Sequence, residues 1–570
     1  MTSLKDKKDV ASDKTTTTTD IAYEKHVVAK LTDSSATSFT YSTEDYKSDI
    51  DGYVPHLEWT KEEEAKVLLK IDLKLMPFVL LMTFVLNMDR TNICKLKHSS
   101  LYMLADYLAL VANAISDNMP EHLGFNINGI NTGTLLYSLV FTVITLITNP
   151  IAKRVGPHRW IPFLMFSWAI VTWAHVFLHN YSGYLATRFF IAVTEGGFIP
   201  TCLLYFTSWY KASELATRLS WFWGIQSFAS AFSGLISFGI FRLEGVGGLY
   251  GWKWLFLIDG IITHIVGFIA IFYLPKSPFT TRGLLRGKYG WFTERERAIA
   301  VTRIINDDKY NLEQNQRITW RDVRMAILDT KLWTHLLITF TSMMHTTPIS
   351  TYFPTLIRGY GFSITTSNLL TVPAFFINLI VSIVVARNAD RIGNYAFHGL
   401  FGCAWAMAGF LSLIFVPDGA GRWNFYAATL FAASAPYWHG MHIAWMSSNL
   451  APHSKRVLAL GAVIGAANIC SVPGSQIYRK NHIIIKNEKI KINCYFIEQS
   501  DSPRFIRGNW INFSIALLSA ILLIVQHFRY VFTNEYRSKK WDSLTEAEKQ
   551  DYLKHTKDEG SNRLDYRFRI

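Results

Sequence analysis

The amino-acid sequence predicts an all-α polytopic membrane protein with twelve transmembrane helices in two six-helix halves. Three observations carry this. Half of the 570 residues are hydrophobic and only 18% are charged, whereas about a quarter of a typical soluble domain is charged. Apolar runs of membrane length recur along the chain. A polar stretch from Pro275 to Lys331 divides those runs six and six.

In order along the chain, residues 1–57 are polar and rich in Ser and Thr, which predicts a disordered tail. They carry no signal-peptide pattern, so the first membrane helix is expected to direct insertion. Thr60-Lys-Glu-Glu63 is a capping box that opens a helix leading into the first apolar run, Leu73–Met88. Further membrane helices are expected at Thr132–Pro150, Trp160–His179, Gly183–Tyr210, Leu219–Phe241 and Trp254–Leu274. After the polar stretch come Leu332–Leu356, Leu369–Ala386, Ala396–Val416, Phe425–Met446, Val457–Tyr478 and Trp510–Phe532. Thr293-Glu-Arg-Glu296 and Thr545-Glu-Ala-Glu548 are further capping boxes, opening helices in the central stretch and the tail. The expected division is 1–57 tail, 58–274 first half, 275–331 central loop, 332–532 second half and 533–570 tail.

The distribution of Lys and Arg sets orientation. Lys153, Arg154 and Arg159 fill one short connection, Lys211 and Arg218 follow the fourth run, and Arg387, Arg391, Lys455 and Arg456 mark equivalent places later. The alternate connections are poor in both, so both termini and the central loop are expected in the cytoplasm, with the plasma membrane as the site of residence. The net charge of +14 is read as these basic loops. Nucleic acid is not an expected partner, because no basic module interleaved with aromatics occurs. Five scattered cysteines show neither metal-ligand spacing nor a disulfide framework. No metal, cofactor or enzymatic activity is expected, since no nucleophile–base or nucleotide motif is present.

The chemistry concentrates in charges inside the apolar runs. Asp89 and Arg90 end the first run, and Arg188 and Glu195 lie within the fourth. A charge at the centre of a membrane helix costs about 2.5–3.5 kcal/mol or more, so such residues face a cavity or other protein and mark function. Seven helical steps of about 100° place Arg188 and Glu195 about 10 Å apart on one stripe. A structural ion pair locking two helices is the plainer alternative.

The two halves echo one another. Ala152-Lys-Arg-Val-Gly-Pro-His-Arg159 follows the second run and Ala386-Arg-Asn-Ala-Asp-Arg-Ile-Gly393 follows the eighth. Paired six-helix halves with matching loops are the architecture of the major facilitator superfamily. Asp89-Arg90, Arg188, Glu195-Gly-Gly-Phe-Ile-Pro200 and the Lys153–Pro162 loop together resemble the anion:cation symporter family, and within it the fungal allantoate permease group. Lys540-Trp-Asp-Ser-Leu-Thr-Glu and Asn562-Arg-Leu-Asp-Tyr-Arg-Phe568 are similar to that group too. The resemblance implies proton-coupled import of a small organic anion: a ureido acid, vitamin carboxylate, dicarboxylate, sulfonate or small peptide. It implies that Asp89 and Glu195 carry the coupling proton and that Arg90 and Arg188 hold the anion, with Gln226 and Asn468 as further substrate contacts. The expected partners are that anion, protons and the lipid bilayer, with the chain a monomer.

Elementary chemistry agrees. Desolvation favours the neutral form of a carboxylate, and arginine stays charged with a planar fork suited to carboxylate or sulfonate. Protonation of a carboxylate then frees an arginine for the substrate. His175, His264, His345, His439 and His442 read first as packing histidines. His345 is retained as a substrate-contact candidate because its helix lines the cavity in this architecture. Two stretches depart from the family pattern, Cys94–Ala112 and Lys480–Gln499, and read either as added loops or as retained intron sequence. Two rival functions share the fold: a non-transporting nutrient sensor and a drug:proton antiporter. Two cavity arginines suit an anion better than a lipophilic cation.

Overall fold

A computed structural model describes residues 51–94, 119–125, 127–308, 317–475, 477–478, 504–556 and 558–570. The two departing stretches, 94–112 and 480–499, therefore lie outside the described residues apart from the backbone of Cys94, as does most of the polar tail 1–57. Among the described residues every regular element is a helix, apart from an isolated bridge between Gly283 and Gly287.

Helix α1 (Lys61–Lys74) begins at Thr60, whose hydroxyl accepts from the Glu63 amide while Glu63 returns a bond to the Thr60 amide. It gives way at Leu75 to α2 (Met76–Cys94), the first membrane helix. The short α3 (Met119–His122) precedes α4 (Ile127–Val155) and α5 (Pro157–Ala174). A single turn of 3-10 helix, His175–Phe177, then leads to α6 (Tyr181–Glu195). The side chain of Asn180, the first residue of an Asn-Tyr-Ser sequon, caps α6 by accepting from the Gly183 amide at 2.8 Å.

The fourth membrane helix was expected as one run, Gly183–Tyr210. It runs as one membrane-length span, Tyr181–Thr207, with a local two-residue interruption at Gly196–Gly197 before α7 (Phe198–Thr207), both glycines keeping right-handed helical dihedrals. A Cβ on Gly197 would stand 2.1 Å from Thr148 Cγ2, so α4 packs directly on the bared backbone. Helices α8 (Ala212–Ile240) and α9 (Gly251–Tyr273) complete the first half. In the central stretch, α10 (Glu294–Asp307) opens at its capping box. Next, α11 (Trp320–Ile327) opens at Thr319–Asp322, a capping pair with Asp in place of Glu.

The second half begins with α12 (Thr330–Gly359), followed by a short α13 (Ile364–Leu369), α14 (Val372–Ile392) and α15 (Tyr395–Phe415). The tenth membrane run, expected whole as Phe425–Met446, divides into α16 (Arg422–Ala433) and α17 (His439–Ser448). Pro436 lies between them and cannot donate to a helical ladder. Polar groups of α14 hold the extended link: the Asn378 amide donates to the Ala435 carbonyl, and the Tyr437 amide donates to Ser382 Oγ at 2.7 Å. Next come α18 (His453–Ile469) and the short α19 (Ser471–Gly474). The last membrane helix, α20 (Ile506–Asp542), continues ten residues beyond the expected Phe532, and α21 (Glu546–His555) follows it from the predicted capping box.

Among the described residues, eight helical segments are long and apolar enough to cross a membrane. The remaining four predicted spans are α2, α8, α12 and the α16–α17 pair. Ionised residues, polar runs or a break lower their hydropathy, which is expected of helices that face a polar interior. Within the first half, α9 lies along α5, α4 along α6 and α8 along α2; within the second, α20 lies along α15 and α12. Between halves, α4 meets α18, and α8 meets α14 and α17. Small residues permit the approach, since a Cβ on Gly461 of α18 would stand 2.4 Å from the Thr145 carbonyl of α4.

Both described ends of the chain and the central stretch gather on one face, called here the connector face. Lys70 pairs with Glu296 at 2.7 Å, Arg295 with Glu63 at 2.6 Å, and Arg569 with Asp307 at 2.9 Å. Hydrogen bonds from Arg295 and then from the Thr60 amide hold the Glu63 carboxyl well below the usual carboxylate range, at about 2.

Candidate functional site: a buried arginine–carboxylate cluster

Four ionisable residues from α2 and α6 meet within the first half. Asp89 is 3% exposed and accepts from the Thr172 hydroxyl of α5 at 2.7 Å. Its neighbour Arg90 turns to α6, where Nε donates to Glu195 Oε2 at 3.1 Å, and its guanidinium lies 5.0 Å over the Phe141 ring. Glu195 is 1% exposed, and the same oxygen also accepts from the Tyr137 hydroxyl of α4 at 2.6 Å.

Arg188 does not pair with Glu195, although both lie on one stripe of α6. Its Nη2 stands 2.8 Å from His175 Nε2. The other ring nitrogen, His175 Nδ1, lies 2.9 Å from the carbonyls of Val171 and Thr172. Carbonyls only accept, so Nδ1 carries the hydrogen and Nε2 is the lone pair that receives Arg188. The imidazole is thus neutral, and it is fixed further by stacking on Phe256 at 4.3 Å. Arg188 Nε is buried without a hydrogen-bond partner among the described residues. Asp89 is in electrostatic reach of Glu195, Arg188 and Arg90. Two cations and two carboxylates therefore share one buried volume, where low polarity strengthens each interaction.

Among the described residues, none of the other predicted contacts is hydrogen-bonded to this cluster. Gln226 is on α8 with an exposed side chain, one turn beyond Trp223. Asn468 is half-buried near the end of α18 and donates to the Ile464 carbonyl of its own helix at 2.8 Å. His345 is buried in the second half, bonded to the Thr341 carbonyl of its own helix at 3.0 Å and set edge-on to Phe410. Local hydrogen bonding accounts for both.

Sequence reasoning missed Tyr137 and Thr172 and read His175 first as a packing residue. Each earns its place through a partner on another helix, and no local pattern reveals such a partner. A second buried polar group lies in the second half: His335 is 2.9 Å from both His442 Nε2 and the Tyr530 hydroxyl. Among the described residues, no three His, Cys, Asp or Glu side chains come together as a metal site.

The Major Facilitator Superfamily model matches residues 99–475, more than half of the chain. An uncharacterised transporter of Saccharomyces cerevisiae is 28% identical over 533 residues, covering 93% of this chain and 91% of that protein. The major facilitator-type transporter hxnP of Emericella nidulans is 27% identical over 432 residues, 74% of this chain and 80% of its own length. Among solved structures, the proton:xylose symporter XylE aligns with a TM-score of 0.60 at 14% identity, covering 80% of this chain and 95% of its own. The Escherichia coli fucose:proton symporter FucP aligns with a TM-score of 0.50 at 15% identity, covering 80% and 98%. At these identities the structural likeness concerns the fold.

Proposed function

The chain belongs to the major facilitator superfamily, and from that premise we propose that it is a proton-coupled symporter for a small organic anion, of the allantoate permease type. The observation that carries this reading is the exchange of partners available in the buried cluster. Arg90 is paired with Glu195, while among the described residues Arg188 is hydrogen-bonded only to a neutral imidazole and leans on Asp89 through space. A proton delivered to Glu195 or Asp89 leaves a buried guanidinium short of its counter-charge. A carboxylate or sulfonate then supplies the missing charge and accepts from the planar fork. Proton and anion thus enter together, and neither charge is left uncompensated in the membrane interior.

In this reading Asp89 and Glu195 carry the coupling proton and Arg90 and Arg188 bind the anion. Gln226, exposed on α8, contacts the remainder of the substrate, and Asn468 and His345 act from the second half. In this reading the connector face is cytoplasmic, which the Lys and Arg distribution supports, and the membrane is the plasma membrane. The test is uptake competition in cells expressing the chain, with a panel of carboxylates, sulfonates, neutral sugars and lipophilic cations. Competition confined to anions, with uptake that rises in an inward proton gradient, supports the reading. Competition by cations or neutral sugars alone overturns it.

A further inference from the structure

Residues 560–570 run as a strap over the connector face, and the fold gives them a specific seat. The Phe568 backbone is read in both directions by Asn534 of α20: its amide donates to Asn534 Oδ1 and its carbonyl accepts from Nδ2, each at 2.8 Å. The Arg569 backbone is read the same way by Asn449, just past α17, at 2.7 and 2.8 Å, and Trp445 Nε1 donates to the same carbonyl at 2.9 Å. Arg537 donates to the carbonyls of Tyr566 and Ser561 at 3.1 and 3.0 Å. The Phe568 ring is 4% exposed and stacks on Tyr530 at 4.4 Å, with the Arg537 guanidinium 5.0 Å from its centre. Every one of these anchors lies on α17, just past it, or on α20, the elements of the second-half side.

The side chain of Arg569 leaves that half. It reaches Asp307 at the end of α10, with Nη2 2.9 Å from Oδ1. Helix α10 is fastened to the first half. Arg303 is fully buried and pairs with Glu214 at 2.7 Å and with the Trp209 carbonyl at 2.8 Å, and the Val54 amide donates to Thr302 Oγ1 at 3.2 Å. Asp307 itself also receives the Ala212 amide at the start of α8, at 2.9 Å. The neighbouring Asp308 takes Arg456 of α18. Adjacent aspartates on the first-half side therefore each hold an arginine from the second-half side. Between them lies a cavity of about 190 Å³ lined by Thr207, Tyr210, Ser447, Arg456, Tyr566 and Arg569, among others.

We propose that residues 560–570 are a latch for the connector face: the strap rides on the second half, and Arg569 on Asp307 holds the two halves together only while this face is closed. Alternating access in this superfamily moves one half against the other. A strap seated by backbone hydrogen bonds and a buried ring stays with its own half. The strap's own charge pair across the seam, Arg569 with Asp307, breaks when the seam opens and re-forms when it closes, beside the Arg456–Asp308 pair. The latch thereby favours the closed connector face and raises the barrier to release on that side. The inference needs the alternating motion of the fold and does not depend on which substrate is carried.

The experiment uses the full-length protein in lipid nanodiscs, where both faces are open to reagent. Ser447→Cys serves as reporter inside the seam cavity and native Cys403, fully buried in the second half, reports unfolding; the other cysteines are replaced. Labelling by a charged maleimide is followed at each cysteine by peptide mass spectrometry. Arg569→Ala and Arg569→Glu are expected to speed labelling at position 447 several-fold with Cys403 unchanged, and Arg569→Lys to stay near the parent rate. Equal rates at position 447 in all variants overturn the latch. So does a parallel rise at Cys403, which reports loosening of the half itself.

Discussion

The carboxylate of Glu195 is held by Arg90 at 3.1 Å and by the Tyr137 hydroxyl at 2.6 Å, both on the same oxygen. Arg188, seven residues earlier on the same helix, is left to the neutral ring of His175. This division separates the two cations. One is paired directly with a carboxylate, while the other is hydrogen-bonded to a group that carries no charge.

Glu195→Gln imitates the protonated acid. It is expected to retain substrate binding and exchange of internal for external substrate, and to lose concentrative uptake driven by an inward proton gradient. Proteoliposomes with and without that gradient separate the two activities. Accumulation by the variant in proportion to the gradient would move the coupling role to Asp89.

Arg188→Lys keeps the charge and loses the fork. Loss of one bidentate contact should reduce kcat/KM by about tenfold or more, since about 1.4 kcal/mol is a factor of ten. His175→Ala leaves Arg188 in place without its orienting acceptor, so it should raise KM while surface expression stays normal. Unchanged KM in both variants would remove Arg188 from the anion site.

Arg303→Met tests the docking of α10. The guanidinium is fully buried against Glu214 and the Trp209 carbonyl. Removing one partner of a buried pair typically costs about 3–5 kcal/mol. A lowered thermal unfolding midpoint in detergent is expected, together with easier proteolysis of residues 275–331. A midpoint equal to the parent would show that α10 is held by its other contacts.

Gly461→Val should push α18 away from α4, because even a Cβ would lie 2.4 Å from the Thr145 carbonyl. The two helices belong to opposite halves, so the variant should disfavour the state described here. Faster labelling of a cysteine at Ser447, with protein abundance preserved, is the expected readout. Slower labelling would mean that the seam accommodates the side chain.

Much of the fold was legible in order along the chain. Periodic apolar content, length and the polar interval located the twelve runs, because a span of lipid demands about twenty apolar residues with internal backbone bonding. Thr60, Thr293 and Thr545 were correctly read as helix starts, since a capping box is complete within four residues. One break was not read: Ser434–Trp438 stands within an apolar run, and only the bonds from Asn378 and Ser382 of α14 show why the helix stops there.

The same distinction holds for the cluster. The sequence by itself identified Asp89, Arg90, Arg188 and Glu195, because an ionised group in an apolar run is costly wherever it points. Tertiary structure alone decided who faces whom. The pairing of Glu195 with Arg90 joins residues 105 apart in sequence, and that of Asp89 with Thr172 joins residues 83 apart. Arg569, in the C-terminal tail by sequence, gained its partner Asp307 from the docking of both segments on one face. Helical spacing fixes which residues share a stripe, whereas the partner of a stripe depends on how whole helices pack.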